Sequence, residues 1–272
     1  KYEEGGLLIG KIESLVYKKF KEMPAMPFEV PSVVLNGLVK RDQLYLDESS
    51  KPKTDRSISI IKFIENINLK KLLESKPEGY FTFVEQVAAS TKLIHENLGR
   101  ILDEIQLDNL NTTAKEYLLK KQREEWAQIK ESAKELLQLD LDELLEPANS
   151  FLQNSKAKKV WIKDIKPANW GYNPETKKLV VFDFDYVIEH YPHYDWCKFI
   201  DNGLFNEDEK PKILEIFLKE NNGNSNDLAL YNYCALMKNI YSVIFFLKKE
   251  KKDIAKKRLE CAINASKRIG SS

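Results

Sequence analysis

Between Lys159 and Val187 the chain reads KVWIKDIKPANWGYNPETKKLVVFDFDYV, a stretch that sets three aspartates, two asparagines and several lysines among apolar runs. A short continuous apolar run such as LVVF has the pattern of a strand buried on both faces. The NPETKK before it has turn chemistry. The segment therefore predicts an interior β-hairpin in which VWI and NWGY flank the loop KDIKPAN and NPETKK feeds the strand LVVFDFD. Asp183 closes that strand, where a carboxylate is costly to bury unless something pairs with it.

The rest of the chain surrounds this hairpin mostly with helices. LLIGKIESLVYKKFKE, residues 7 to 22, places Leu8, Ile12, Leu15, Val16 and Phe20 at helical spacing, and the three prolines of MPAMPFEVP stop the helix. Gly5 and Gly6 before it read as loop residues. SVVLNGLV and QLYLD alternate around the turn dipeptide Asn36-Gly37, and SISIIKFI at Ser57 to Ile64 is rich in β-branched residues, which together predict a small sheet. From Leu69 the pattern turns helical, with Thr113 and Glu116 spaced as a capping box for the longest helix. Helical periodicity resumes after the hairpin and continues to the C-terminal region. The predicted boundaries are a small helix-and-sheet unit over 1–65 and a helical body over 66–272 that carries the hairpin.

Charge and cysteine usage exclude several classes. Forty-three basic against 42 acidic residues give a formal net charge of +1, so no overall field recruits nucleic acid or an anionic membrane. No apolar run approaches the roughly 20 residues of a membrane span. The three cysteines are widely spaced, unlike a zinc site or a disulfide framework, and the reading is a cytoplasmic protein. The lysines of KKEKKDIAKKR flank apolar positions and read as a solvated helix face.

The hairpin brings Asp164, Asn169 and Asp183 to one end. Oxygen ligands on short loops suit a hard cation such as Mg²⁺, and Lys166 beside them suits an anionic group. Together they describe a site for metal-bound phosphate.

An Asp-x-x-x-x-Asn loop, a hairpin and a following Asp resemble the catalytic half of the protein-kinase-like superfamily. The resemblance implies a two-lobed α+β fold with a short or incomplete N-terminal lobe and a mostly helical C-terminal lobe. It implies that Asp164 takes the proton of the attacking hydroxyl, that Asn169 and Asp183 hold Mg²⁺, and that Lys166 neutralises the moving γ-phosphoryl of ATP. FDFDYVIEHYPHYDWCKFID narrows it to the aminoglycoside phosphotransferase and choline/ethanolamine kinase branch, in which a second acid and an Asp heading a helix follow the metal Asp. Here these are Asp185 and Asp195, where a protein kinase would carry glycine in place of Asp185. The long helical stretch 99–158 and the lack of an Ala-Pro-Glu signature favour the same branch, whereas Lys166 two residues after Asp164 resembles protein serine/threonine kinases.

On the acceptor side the resemblance implies that Asp185, Glu189 and Asp195, with nearby aromatics, meet a small hydroxyl-bearing acceptor, cationic or polyhydroxyl. His190 and His193 lie on the same side. Glu13 matches the helix glutamate and Lys1 the strand lysine of the nucleotide site, and the adenine would meet backbone near Ile61 to Phe63. Two departures stand out: Ile162 occupies the position normally held by His, and no glycine-rich phosphate loop precedes the first helix. The missing loop motivates a non-catalytic pseudokinase as one rival, and a protein serine/threonine kinase is the other.

Overall fold

The computed structural model describes residues 2–39, 56–62, 64–107, 111–137, 140–154, 157–223 and 226–269. Helix α1 (Tyr2–Glu22) opens the chain and buries Ile12, Val16, Tyr17 and Phe20, the face that a helical period of three to four residues brings together. It begins earlier than the apolar pattern predicts, so Gly5 and Gly6, expected in a loop, lie inside it. Helix α1 ends just ahead of Pro24, which cannot continue the ladder. After strand β1 (Phe28–Glu29) come β2 (Ser32–Val39) and β3 (Arg56–Lys62), paired antiparallel. Asn36-Gly37 does not turn the chain. Both residues sit within β2 opposite Ser59 and Ile58, because the antiparallel backbone ladder of β2 and β3 runs through them. The expected strand QLYLD lies outside the described residues.

A short strand β4 (Ile67–Asn68) leads into α2 (Leu69–Ser75) and the long α3 (Phe81–Glu104). The bridge of β5 (Gln106–Leu107) and β6 (Thr112–Thr113) precedes α4 (Ala114–Leu137). The predicted capping box is present: Glu116 N–H donates to Thr113 Oγ1 at 3.2 Å and Thr113 N–H to Glu116 Oε2 at 2.9 Å. Helix α5 (Leu141–Asn154) is separate from α4, and Asp140 accepts the Asp142 N–H at its start.

The hairpin follows as β7 (Val160–Lys163), β8 (Trp170–Asn173), β9 (Lys178–Val181) and β10 (Val187–His190). Only β8 and β9 form the hairpin. Strand β7 pairs antiparallel with β10, whereas β8 and β9 are the centre of a sheet ordered β1-β9-β8-β4. Strand β1 joins β9 in parallel, and β4 crosses onto β8 with Asn68 opposite Gly171. Leu179, Val180 and Val181 are fully buried, each worth roughly 1.5–3 kcal/mol of apolar burial. Gly171 is required by this crossing, since a β-carbon there would lie 2.2 Å from Asn66 Oδ1.

Helices α6 (His193–Ile200), α7 (Glu209–Glu220), α8 (Asn226–Lys248) and α9 (Lys252–Ile269) complete the chain. One apolar core gathers α1, α3, β9 and α7, and a second gathers α5, α6, α8 and α9. No helix among the described residues is long and apolar enough to cross a membrane.

Candidate active site

Asp164 sits at the junction of the two small sheets, where β7 leaves its ribbon with β10 and the chain turns through a single 3₁₀ turn, Pro167–Asn169, into β8. Two bonds fix this loop from within. Asn169 Nδ2 donates to the carbonyl of Asp164 at 2.8 Å, and the indole of fully buried Trp170 donates to the carbonyl of Ile165 at 3.0 Å. Phe182 N–H donates to the carbonyl of Asn169 at 3.0 Å and ties the loop to the end of β9.

Two lysines hold the Asp164 carboxylate. Lys166 Nζ lies 3.0 Å from Oδ2 and Lys198 Nζ lies 3.7 Å from Oδ1. Burial pushes the Asp164 carboxyl up, but the Lys198 charge and the Lys166 bond outweigh it and hold the group below its ordinary range. Lys198 is boxed by the rings of Tyr186 at 4.3 Å and Tyr194 at 5.1 Å. The Lys166 ammonium is raised overall, burial being offset by Asp164 first and then by Asp183 and Asp185, so the three carboxylates share its neighbourhood.

Asp183 has φ 66°, in the left-handed region that non-glycine residues rarely occupy. Its carboxylate is in hydrogen-bonding contact with Asp185, and that contact, with burial and the Asp183 charge, lifts Asp185 to about 7. Two neighbouring carboxyl groups are hard oxygen donors of the kind that suits a divalent cation. The Asn169 amide, whose nitrogen is committed to Asp164, adds one oxygen. No group of three or more His, Cys, Asp or Glu side chains that could hold a metal ion occurs among the described residues.

Glu13 lies beside the same turn: its Oε1 accepts the Phe184 N–H at 3.1 Å and the Tyr17 hydroxyl at 3.0 Å. Ile61 belongs to β3 opposite Val33, while Lys1 and Phe63 lie outside the described residues. Glu189, expected to face an acceptor, exchanges backbone bonds with the Gln122 amide of α4, 3.0 Å and 2.9 Å long. A shallow pocket beside it is lined by Gln122 and Glu125 of α4 together with Asp185, Tyr186 and Ile188.

Asp195 requires a correction, because it is fully buried and cannot meet an acceptor. Its Oδ2 contacts His95 Nε2 at 2.9 Å and accepts the Lys163 N–H at 3.2 Å, so it braces the strand leading to Asp164. This brace, together with buried Ile162, holds the loop that lacks the usual histidine. His190 and His193, placed by the sequence on the acceptor side, are likewise buried.

Three residues of the site escaped the sequence reading. Lys163, 1% exposed, donates to the carbonyl of Phe182 from beneath the turn, with Asp183, Asp195, Asp164 and Glu13 all drawing on its charge. Lys198 follows Asp195 within an otherwise apolar helix. In both cases a charge inside an apolar run was the available signal. Tyr17 carried none, since an aromatic at helical spacing reads as core.

No family model matches the sequence, and no curated protein matches it. Solved structures do match along nearly the whole chain. A GDP complex of a mutant aminoglycoside 2'-phosphotransferase-IIIa is similar at TM-score 0.59 and 13% identity, over 97% of this chain and 82% of that one. A streptomycin–ATP complex of an aminoglycoside phosphotransferase matches at TM-score 0.53 and 15% identity, over 95% and 83%. An ethanolamine kinase from Plasmodium vivax matches at TM-score 0.52 and 14% identity, over 93% and 71%. The chain therefore has the α+β protein-kinase-like fold, in the form shared by aminoglycoside phosphotransferases and choline/ethanolamine kinases.

Proposed function

We propose that the protein transfers the γ-phosphoryl group of a Mg²⁺-bound nucleoside triphosphate, ATP in the first instance, to a hydroxyl of a small-molecule acceptor. The observation that carries this reading is Asp164 held by Lys166 and Lys198, with Asp183 and Asp185 near enough to act on the same Lys166 ammonium. Asp164 accepts the proton of the attacking hydroxyl, a contribution of about 10²-fold or more. Lys166 balances charge on the transferred group, and Asn169 and Asp183, joined by Asp185, would hold the metal. Bound there, Mg²⁺ supplies charge neutralisation at the phosphate oxygens. Residues 1–65 would form the lobe that covers the nucleotide and 66–272 the lobe that carries the chemistry.

A small-molecule acceptor is favoured over a protein by the likeness to small-molecule kinases, and Glu125, Asp185 and Tyr186 line a small cleft where Gln122 of α4 bonds to β10. Carboxylates beside an aromatic face suit a cationic or polyhydroxyl acceptor. Nucleotide choice is open to both purines, since similar structures hold GDP and ATP. A phosphate-release and transfer screen over amino alcohols, amino sugars, neutral alcohols and model proteins, with ATP and with GTP, tests the reading. Transfer to a small alcohol or amino sugar supports it. Transfer to proteins alone would move the assignment to a protein kinase, and nucleotide binding without transfer to a pseudokinase.

A further inference from the structure

The amides of Asp183 and Phe184, in the turn that presents Asp183, bond to side chains of α1. Asp183 N–H donates to the Tyr17 hydroxyl at 2.7 Å, that hydroxyl donates to Glu13 Oε1 at 3.0 Å, and the same oxygen accepts the next amide, Phe184 N–H, at 3.1 Å. Glu13 and Tyr17 are four residues apart on α1, hence on one face. The result is a closed ring of three hydrogen bonds that joins α1 to two consecutive amides of a left-handed residue. The Tyr17 ring packs edge-on against Phe184 at 5.4 Å and 89°, and Phe20 flanks Phe184 at 5.5 Å, so the aromatic contacts are independent of the hydroxyl. Burial, then the nearby Glu13 charge, keeps the phenol protonated and therefore a donor.

Backbone in the left-handed region persists for a non-glycine residue only when its surroundings over-determine it. Here the acceptors that over-determine it come from outside the sheet, from a helix more than 160 residues away in sequence. We infer that Tyr17 is a positioning residue for the metal site: its hydroxyl, relayed to Glu13, sets the left-handed turn that aims the Asp183 carboxylate. The inference rests on the phosphotransfer reading for the identity of the metal, but the clamp itself concerns only α1 and the turn.

The test is Tyr17→Phe, which keeps the ring and deletes the hydroxyl. Calorimetry with a non-hydrolysable ATP analogue should show Mg²⁺-supported affinity reduced about tenfold, with affinity in EDTA unchanged. Hydrogen exchange at the amides of Asp183 and Phe184 should quicken at least tenfold while Val180 and Val181 stay protected. Glu13→Gln, which keeps an acceptor oxygen, should lie between wild type and Tyr17→Phe in both measurements. Equal loss of affinity with and without Mg²⁺ would reduce Tyr17 to a packing residue and overturn the inference. Unaltered exchange at the two amides would overturn the clamp whatever the nucleotide data show. A wild-type protein that binds nucleotide with no dependence on Mg²⁺ would instead overturn the phosphotransfer reading, and the positioning role with it.

Discussion

Replacing Lys163 with methionine separates the stability of the fold from the geometry of the site. Burial draws the ammonium from 10.5 down to about 8, against the attraction of Asp183, Asp195, Asp164 and Glu13. At about 1.36 kcal/mol per pH unit this fall means that the charged form is kept at a net electrostatic penalty of about 3 kcal/mol. Methionine removes that penalty. It also gives up two ring contacts, over Phe184 at 4.6 Å and Trp170 at 5.4 Å, worth on the order of 1 kcal/mol each. The Phe182 carbonyl loses its donor, at about 1 kcal/mol more. The terms nearly cancel, so Lys163→Met should unfold at neutral pH within about 1 kcal/mol of wild type, well short of the roughly 3–5 kcal/mol typical of breaking a buried ion pair.

The pH dependence is sharper. Between about pH 8 and 10.5 the folded protein has shed the Lys163 proton while the unfolded chain still holds it. Stability therefore rises with pH in that window, because the unfolded state binds more protons. Lys163→Met lacks this term, so the difference between the two proteins should move in favour of wild type by about 2–3 kcal/mol across the window. Urea unfolding of both proteins at matched pH values reads that difference, and titrations they share cancel. Turnover should fall about tenfold in the variant, since the tether to Phe182 that steadies Asp183 is gone. A methionine variant weakened by more than about 3 kcal/mol at pH 7, with a difference that does not change with pH, would show that ion pairing outweighs burial at this lysine.

Other variants probe the remaining parts of the site. Asp164→Asn keeps the shape and removes the proton acceptor, so turnover should drop by about two orders of magnitude while calorimetric nucleotide affinity stays put; similar turnover would remove Asp164 from the mechanism. Burial, followed by the Lys159 charge, pulls His190 from 6.5 to about 3, so below pH 6.5 the unfolded chain takes up a proton that the folded protein refuses. Melting temperature should therefore fall on acidification through that range, and less steeply in His190→Gln; parallel curves would contradict it. Gly171→Ala drives a methyl into Asn66 and should cost about 1–3 kcal/mol in thermal unfolding. Asn66→Ala in the same chain should restore most of that loss, and no recovery would place the strain elsewhere.

Local pattern was enough to place the loop of Asp164, Lys166 and Asn169, the strand over Leu179 to Val181 and the capping box at Thr113, because each depends on residues a few positions apart, although the strand stops at Val181 and Asp183 lies in the turn beyond it. It also located α1, although Gly5 and Gly6 lie inside the helix, and the helical body around the hairpin. What the period of a strand cannot say is which strand lies beside it. Pairing β7 with β10, and β8 with β9, β1 and β4, is a tertiary choice driven by burial of Trp161, Ile162 and Leu179 to Val181 on opposite sides of the Asp164 loop. Strand pairing also overrode the turn propensity of Asn36-Gly37, since a dipeptide preference is weaker than the antiparallel ladder that β2 forms with β3. Side chains that change role on burial were hidden for a related reason. Asp195, read as an acceptor contact, became an internal brace, and Tyr17, which the sequence did not single out, became the hydrogen-bond relay to Asp183. The charge and spacing of a residue are written locally, whereas its solvent exposure and partners exist only once distant segments have packed, and in this protein those partners decide which carboxylates face the site.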